Sequence, residues 1–187
     1  MNNFIIQSLI LFCEVFLPSK EGDIQFTQAY HYVYAYAQKD TLLSKCVSNP
    51  KIQKTVVSPQ QIPFNVQDVM CSFIQKRYQK ENLSCSQINM KEGRLMQLSV
   101  DSVDREVAQI KPIAFNQSVM YNKAREPEVG YVIMFSDVYK NCLMVELRYF
   151  CNTQTDNPWA KKAMVFMFEF DKKGEIKTVY SQEKKYR

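Results

Sequence analysis

The side chains that could carry acid–base chemistry are few: a single histidine, His31, and three carboxylates, Asp137, Glu146 and Glu169, on neighbouring hydrophobic runs beside Arg148. Two carboxylates converging on a substrate can divide the acid and base roles between them, with an arginine as charge partner. Cross-strand ion pairing on a solvated sheet face is the plainer expectation for these three. His31 has no cysteine at ligand spacing, and the six cysteines at 13, 46, 71, 85, 142 and 151 contain no C-x-x-C pair, which argues against a zinc site. No serine or cysteine stands in a strand-turn-helix nucleophile setting such as G-x-S-x-G. With four glycines, none clustered, the chain has neither a phosphate-cradling loop nor a dinucleotide fingerprint. No catalytic residue, metal ligand or cofactor is therefore assigned, and both nucleophilic hydrolysis and nucleotide-dependent chemistry are disfavoured. The residues that remain as ligand contacts are His31, Tyr34, Glu146, Arg148 and Trp159. Trp159 follows Asn157-Pro158 in an expected loop, where sealing the edge of a sheet is its plainer role.

Positioning these residues requires two helices and a sheet. Asp23 precedes a run to Ala37 in which Phe26, Ala29, Tyr30, Val33 and Ala37 recur at helical spacing, one apolar stripe, and its carboxylate suits the free amides of a first turn. Tyr32 and Tyr36 form a second row beside that stripe, with His31 near its edge. The helix is expected to end near Lys39-Asp40, with a further turn capped by Asp40-Thr41 and reaching Cys46. Lys51 to Val57 is β-rich and ends at Ser58-Pro59; Ile62-Pro63-Phe64 is extended, because a proline disfavours helix in the residue before it. A second amphipathic helix follows, capped by Asn65, with Val66, Val69, Met70, Phe73 and Ile74 on one side. Lys76, Arg77 and Lys80 at its end complement the helix dipole, a reading preferred to phosphate binding.

Strand signals fill the rest. Arg94 to Val103 alternates, with Met96, Leu98, Val100 and Ser102 facing the core, and a long excursion from Asp104 to Glu128 carries one short strand at Ile110 to Phe115. Four further strands are expected at Val129 to Val138, Asn141 to Cys151, Ala160 to Phe170 and Glu175 to Ser181, the last two joined through Asp171-Lys172-Lys173-Gly174. Leu143, Val145 and Leu147 share one face, Cys142, Met144, Glu146 and Arg148 the other. Phe166, Phe168 and Phe170 oppose Val165, Met167 and Glu169, so that strand is covered on both sides.

The 187 residues, 46% apolar and 23% charged, fit one globular domain with a single core. The net charge of +5 concentrates at Lys161-Lys162, Lys172-Lys173 and Lys184-Lys185-Tyr186-Arg187, read as solubilising charges on turns and a tail. Nucleic acid is a disfavoured partner, since Arg148-Tyr149-Phe150 lies in covered sheet rather than on a stacking platform. Residues 4–17 are apolar but short for a membrane span, lack a basic n-region and contain Glu14. They read either as a degenerate signal or as a structural helix, and membrane association is open only through them. The expected organisation is a leader-like segment 1–21 and a single domain 22–187. Cys142 and Cys151 point to opposite faces, whereas Cys71 and Cys85 are either bridged, if the chain is exported, or buried thiols, the plainer reading.

Two stretches, Gln28-Ala29-Tyr30-His31-Tyr32-Val33 with Lys39-Asp40-Thr41-Leu42, and Phe135-Ser136-Asp137-Val138-Tyr139 with Leu143-Met144-Val145-Glu146-Leu147, resemble short exported bacterial envelope proteins of unknown function. The resemblance covers about a third of the chain and implies a periplasmic, envelope-associated or secreted location, the alternative being cytoplasmic. At the level of fold the pattern is similar to nuclear-transport-factor-like cones, in which helices close a curved sheet around a cavity. The fold class expected is α+β: a curved antiparallel sheet with a C-terminal four-strand meander, covered by two N-terminal amphipathic helices. The function expected is a non-catalytic binding or interaction module for an unknown protein or small ligand. The alternative is a small-molecule enzyme or carrier with a cavity between the first helix and the sheet, using His31, Tyr34 and Glu146.

Overall fold

Helix α1 spans Asp23–Lys39 and buries Phe26, Ala29, Val33 and Ala37, one stripe at the helical period. The computed structural model describes residues 22–39, 54–77, 101–102, 105–106, 108–124, 130–150 and 159–186. The leader-like segment, the turn through Cys46 and most of the Arg94 to Val103 run lie outside the described residues. Asp23 is the first residue of α1, and its Oδ1 accepts from the Val119 amide at 2.8 Å, tying the connecting segment to the start of the helix. The tyrosine row lies against the sheet edge-on: Tyr32 meets Phe168 at 5.4 Å between ring centroids, and Tyr36 meets Phe166 at 5.1 Å.

Among the described residues five strands form one sheet in the order β1-β2-β3-β4-β5: Lys54–Val57, Gly130–Tyr139, Cys142–Phe150, Trp159–Phe170 and Ile176–Lys185. Strands β2 to β5 are antiparallel to their neighbours, but β1 runs parallel to β2, pairing Val56 with Val132. The sheet is therefore mixed. A parallel neighbour is what a long crossover connection delivers, whereas a tight hairpin can only deliver an antiparallel one. Trp159 begins β4 opposite Phe150 instead of standing in a loop. Strand β5 extends through Lys185, so Lys184 and Lys185 belong to the sheet and not to a solvated tail.

Side-chain alternation sorts the core into two layers. Tyr131, Ile133, Phe135, Leu143, Val145, Leu147, Phe166, Phe168 and Phe170 pack on the α1 side, joined by Phe115 and Met120 from the connecting segment. On the opposite side Met144, Val165, Met167 and Tyr180 pack against Val66, Val69, Phe73 and Ile74. The second helix begins as a 3-10 turn, Val66–Val69, and becomes α2 over Met70–Arg77. Asn65 caps it as expected, its Oδ1 accepting from the Gln67 amide at 3.1 Å.

Two strand expectations are corrected. Asp101 and Ser102 are helical rather than extended, and Ile110 to Phe115 reduces to one bridge, Ile113 with Val138, followed by a 3-10 turn at Phe115–Gln117. The bridge forms where β2 bulges: Ser136 and Asp137 stand where β3 offers only Met144, and Asp137 Oδ1 accepts from the Phe115 amide at 2.9 Å.

Candidate functional site

Among the described residues, buried charge gathers on the α2 face of the sheet. Because Met144, Glu146 and Arg148 alternate with Val145 and Leu147, both polar residues share the side of β3 that carries Met144. Glu146 is 2% exposed. Its Oε1 accepts from Arg148 Nε and from the Tyr186 hydroxyl, the latter at 2.5 Å, while Arg148 Nη2 donates to Tyr186 Oη at 3.0 Å. The guanidinium also lies over the Tyr186 ring, 4.6 Å from its centre, and Lys184 Nζ sits 5.4 Å from the same ring. Lys184 Nζ in turn reaches Asp68 Oδ2 at 2.7 Å, which fastens the 3-10 turn to β5.

The electrostatics of this cluster hold the protons of Tyr186 and Arg148 in place. Burial, then the hydrogen bond to Glu146, push the Tyr186 phenol well above its usual range, so it stays a neutral donor. Burial alone pulls the Arg148 guanidinium down, but its hydrogen bond to Glu146 and that carboxylate's charge outweigh it and leave Arg148 more firmly cationic than usual. What the arrangement does is clamp β3 to the end of β5.

The other carboxylates are dispersed. Asp137 serves the bulge, and Glu169 lies beside Tyr180, Cys142 and Arg77, the last at 4.0 Å. Burial, reinforced by Glu169, pushes the Cys142 thiol up to about 12, and the same causes bring Tyr180 to about 12. Cys142 is a free cysteine kept as an unreactive thiol. The expected solvated carboxylate array is thus corrected: Glu146 is buried, and the three residues serve three separate surroundings.

His31 and Tyr34 stand on the outer side of α1, both exposed, across the sheet from Glu146. The structure does not bring these three together, because α1 covers the face of β3 that Glu146 turns away from. The side of α1 that His31 and Tyr34 occupy is unusual in its composition. From Ile24 to Gln38 the helix has no Asp, Glu, Lys or Arg, yet Ile24, Tyr32 and Tyr34 are 44%, 42% and 39% exposed. The Tyr30 and Tyr34 rings stack at 5.7 Å, and Tyr30 meets His31 edge-on at 5.5 Å.

Of the five candidate contacts, then, Glu146 and Arg148 form one cluster, His31 and Tyr34 share another surface, and Trp159 stands at the start of β4. Sequence reasoning missed Tyr186, Lys184 and Asp68. Strand parity offered the signal for the first two, since positions 180, 182, 184 and 186 alternate onto one face if β5 is carried past Ser181. Cys71, on α2, is disulfide-bonded and not a buried thiol; Cys85, the partner expected for it, lies outside the described residues. Among the described residues no group of three or more His, Cys, Asp or Glu could hold a metal ion, and no helix is long and apolar enough to cross a membrane. Comparison with protein-family models, with curated proteins and with solved structures finds no match.

Proposed function

We propose that this chain is a non-catalytic interaction module that docks a partner through the outer side of α1 and works at the cell envelope. The observation that carries the reading is the uncharged, tyrosine-bearing exposed surface between Asp23 and Lys39. Interface cores are depleted in charge and enriched in tyrosine, because a charge must be stripped of water on docking while a phenol brings large area with little entropy to lose. The buried charges on the other face of the sheet are paired with one another, while the outer side of α1 stays uncharged and exposed. In this reading the sheet is a curved scaffold, its four C-terminal strands a meander, and the two helices its covers.

The envelope part of the proposal is supported by the bonded Cys71, since disulfides persist in oxidising compartments, and by the apolar residues 4–17. The sheet aromatics lie beneath helices, which argues for a protein or small ligand as partner in place of nucleic acid. A photo-crosslinking residue at Tyr34 in native cells is expected to give a discrete adduct that the same residue at Lys172, on the β4–β5 turn, does not. Equal labelling from both positions, or none from Tyr34, would refute the docking surface. The mass of the protein isolated from those cells without reductant tests the compartment: an intact Met1 with all thiols free in a soluble extract would overturn it.

A further inference from the structure

We infer that the partner of α1 is a second copy of this chain, paired helix to helix in antiparallel orientation about a twofold axis at His31. The inference rests on the reading of α1 as a docking surface and names its occupant. Ile24, Gln28, His31, Ala35 and Gln38 follow one another at steps of four, three, four and three, and all five are exposed. That is the 4-3 step at which paired helices meet, here filled by the apolar Ile24 and Ala35 and the uncharged polar Gln28, His31 and Gln38, and at about 100° per residue it lies directly opposite the buried stripe Phe26, Ala29, Val33 and Ala37. Nothing charged interrupts the seam. The small side chain of Ala35, near its C-terminal end, lets two backbones approach.

The charges of α1 are self-complementary in one orientation only. Its acidic residue, Asp23, opens the helix and its basic residue, Lys39, closes it. Antiparallel pairing sets Asp23 of each copy near Lys39 of the other and opposes the two helix dipoles, whereas parallel pairing sets like charges and like dipole ends together. The seam runs from residue 24 to residue 38, so its midpoint is His31. A twofold axis there places Ile24 opposite Gln38 and Gln28 within one residue of Ala35, the self-complementary contact that a closed dimer requires. The helix is about 25 Å long at ~1.5 Å per residue, so one helix pair is a small interface and a weak, concentration-dependent dimer is expected.

Sedimentation equilibrium of the full chain from about 10 to about 500 µM covers the affinity range of such small contacts. The wild type is expected to pass from monomer toward dimer. The doubly substituted Gln28→Glu, Ala35→Glu chain and the doubly substituted Gln28→Lys, Ala35→Lys chain should each stay monomeric with unchanged circular dichroism, and mixing them in equal amounts should restore the dimer. A wild type that is monomeric throughout, or charged variants that dimerise as the wild type does, overturns the inference. If α1 still crosslinks to a different protein in cells, the docking surface stands and self-pairing alone is lost. Orientation is read from mild oxidation: His31→Cys should link to itself above the wild-type background, whereas Ile24→Cys should link to Gln38→Cys and not to itself. Self-linking at position 24 without linking at 31 refutes the antiparallel arrangement.

Discussion

Glu146 is tolerated in the interior because two donors converge on one of its oxygens, and one of them, Tyr186, comes from the far end of the chain. Removing either partner has a calculable asymmetry. Tyr186→Phe keeps the ring under Arg148 and deletes only the hydroxyl, so a loss of about 1–2 kcal/mol is expected from urea unfolding midpoints. Glu146→Ala removes the buried carboxylate to which both Arg148 and Tyr186 donate, and should cost more, about 3 kcal/mol. A neutral Tyr186→Phe would mean the hydroxyl contributes nothing beyond its ring.

Alkaline pH supplies a second residue-scale prediction. Cys142, Tyr180 and Tyr186 each hold a proton more tightly folded than unfolded. Their contribution is complete below the ordinary values of 9.0 for the thiol and 10.0 for the phenols, and it is lost as pH rises toward about 12. Melting temperature should therefore fall from near pH 9 upward, and Cys142→Ala should delay the onset to the phenol range. A melting temperature flat from pH 8 to 11 would contradict this.

Elements are held to one another by a few tie points that pattern analysis does not foresee. Strand β5 is an edge strand among the described residues, and α2 meets its outward backbone: the Ser181 amide donates to Ser72 Oγ at 3.0 Å, and Lys76 Nζ donates to the Val179 carbonyl. Such capping blunts an edge that would otherwise template a further strand. The β4–β5 turn depends on Gly174, whose φ of +81° sits in the left-handed region, with a substituted Cβ falling 2.8 Å from Ile24 Cγ2. Gly174→Ala should therefore destabilise the protein by about 1–2 kcal/mol from backbone strain, measured by thermal unfolding. A substitution without effect would show that the turn and the start of α1 relax independently.

At the scale of the whole molecule, one sheet separates two cores, with α1 on one side and the 3-10 turn with α2 on the other. The disulfide at Cys71 adds a covalent restraint to the α2 layer, whose first-turn amide also donates to Gln182 on β5 at 3.1 Å. Reducing it under native conditions should lower stability by about 2–4 kcal/mol, since a crosslink restricts the unfolded chain. Scanning calorimetry with and without reductant reads this directly, and superimposable transitions would rule it out.

The residues alone determined the α+β class, the apolar stripe of α1, the Asn65 cap and the two-sided cover of β4, because all of these follow from local periodicity and capping chemistry. They also separated Leu143, Val145 and Leu147 from Met144, Glu146 and Arg148. Strand parity is a property of the chain itself. What only the tertiary structure decided is who stands next to whom: the parallel pairing of β1, the end of β5 at Lys185, and Tyr186 and Lys184 meeting Arg148 and Asp68. A residue such as Glu146 reads equally well as solvated or buried until the register between distant strands is known, because its cost depends on partners supplied from elsewhere in the chain. His31 and Tyr34 were separated from Glu146 for the same reason, since a period tells which residues share a face and not which side of a sheet that face will cover.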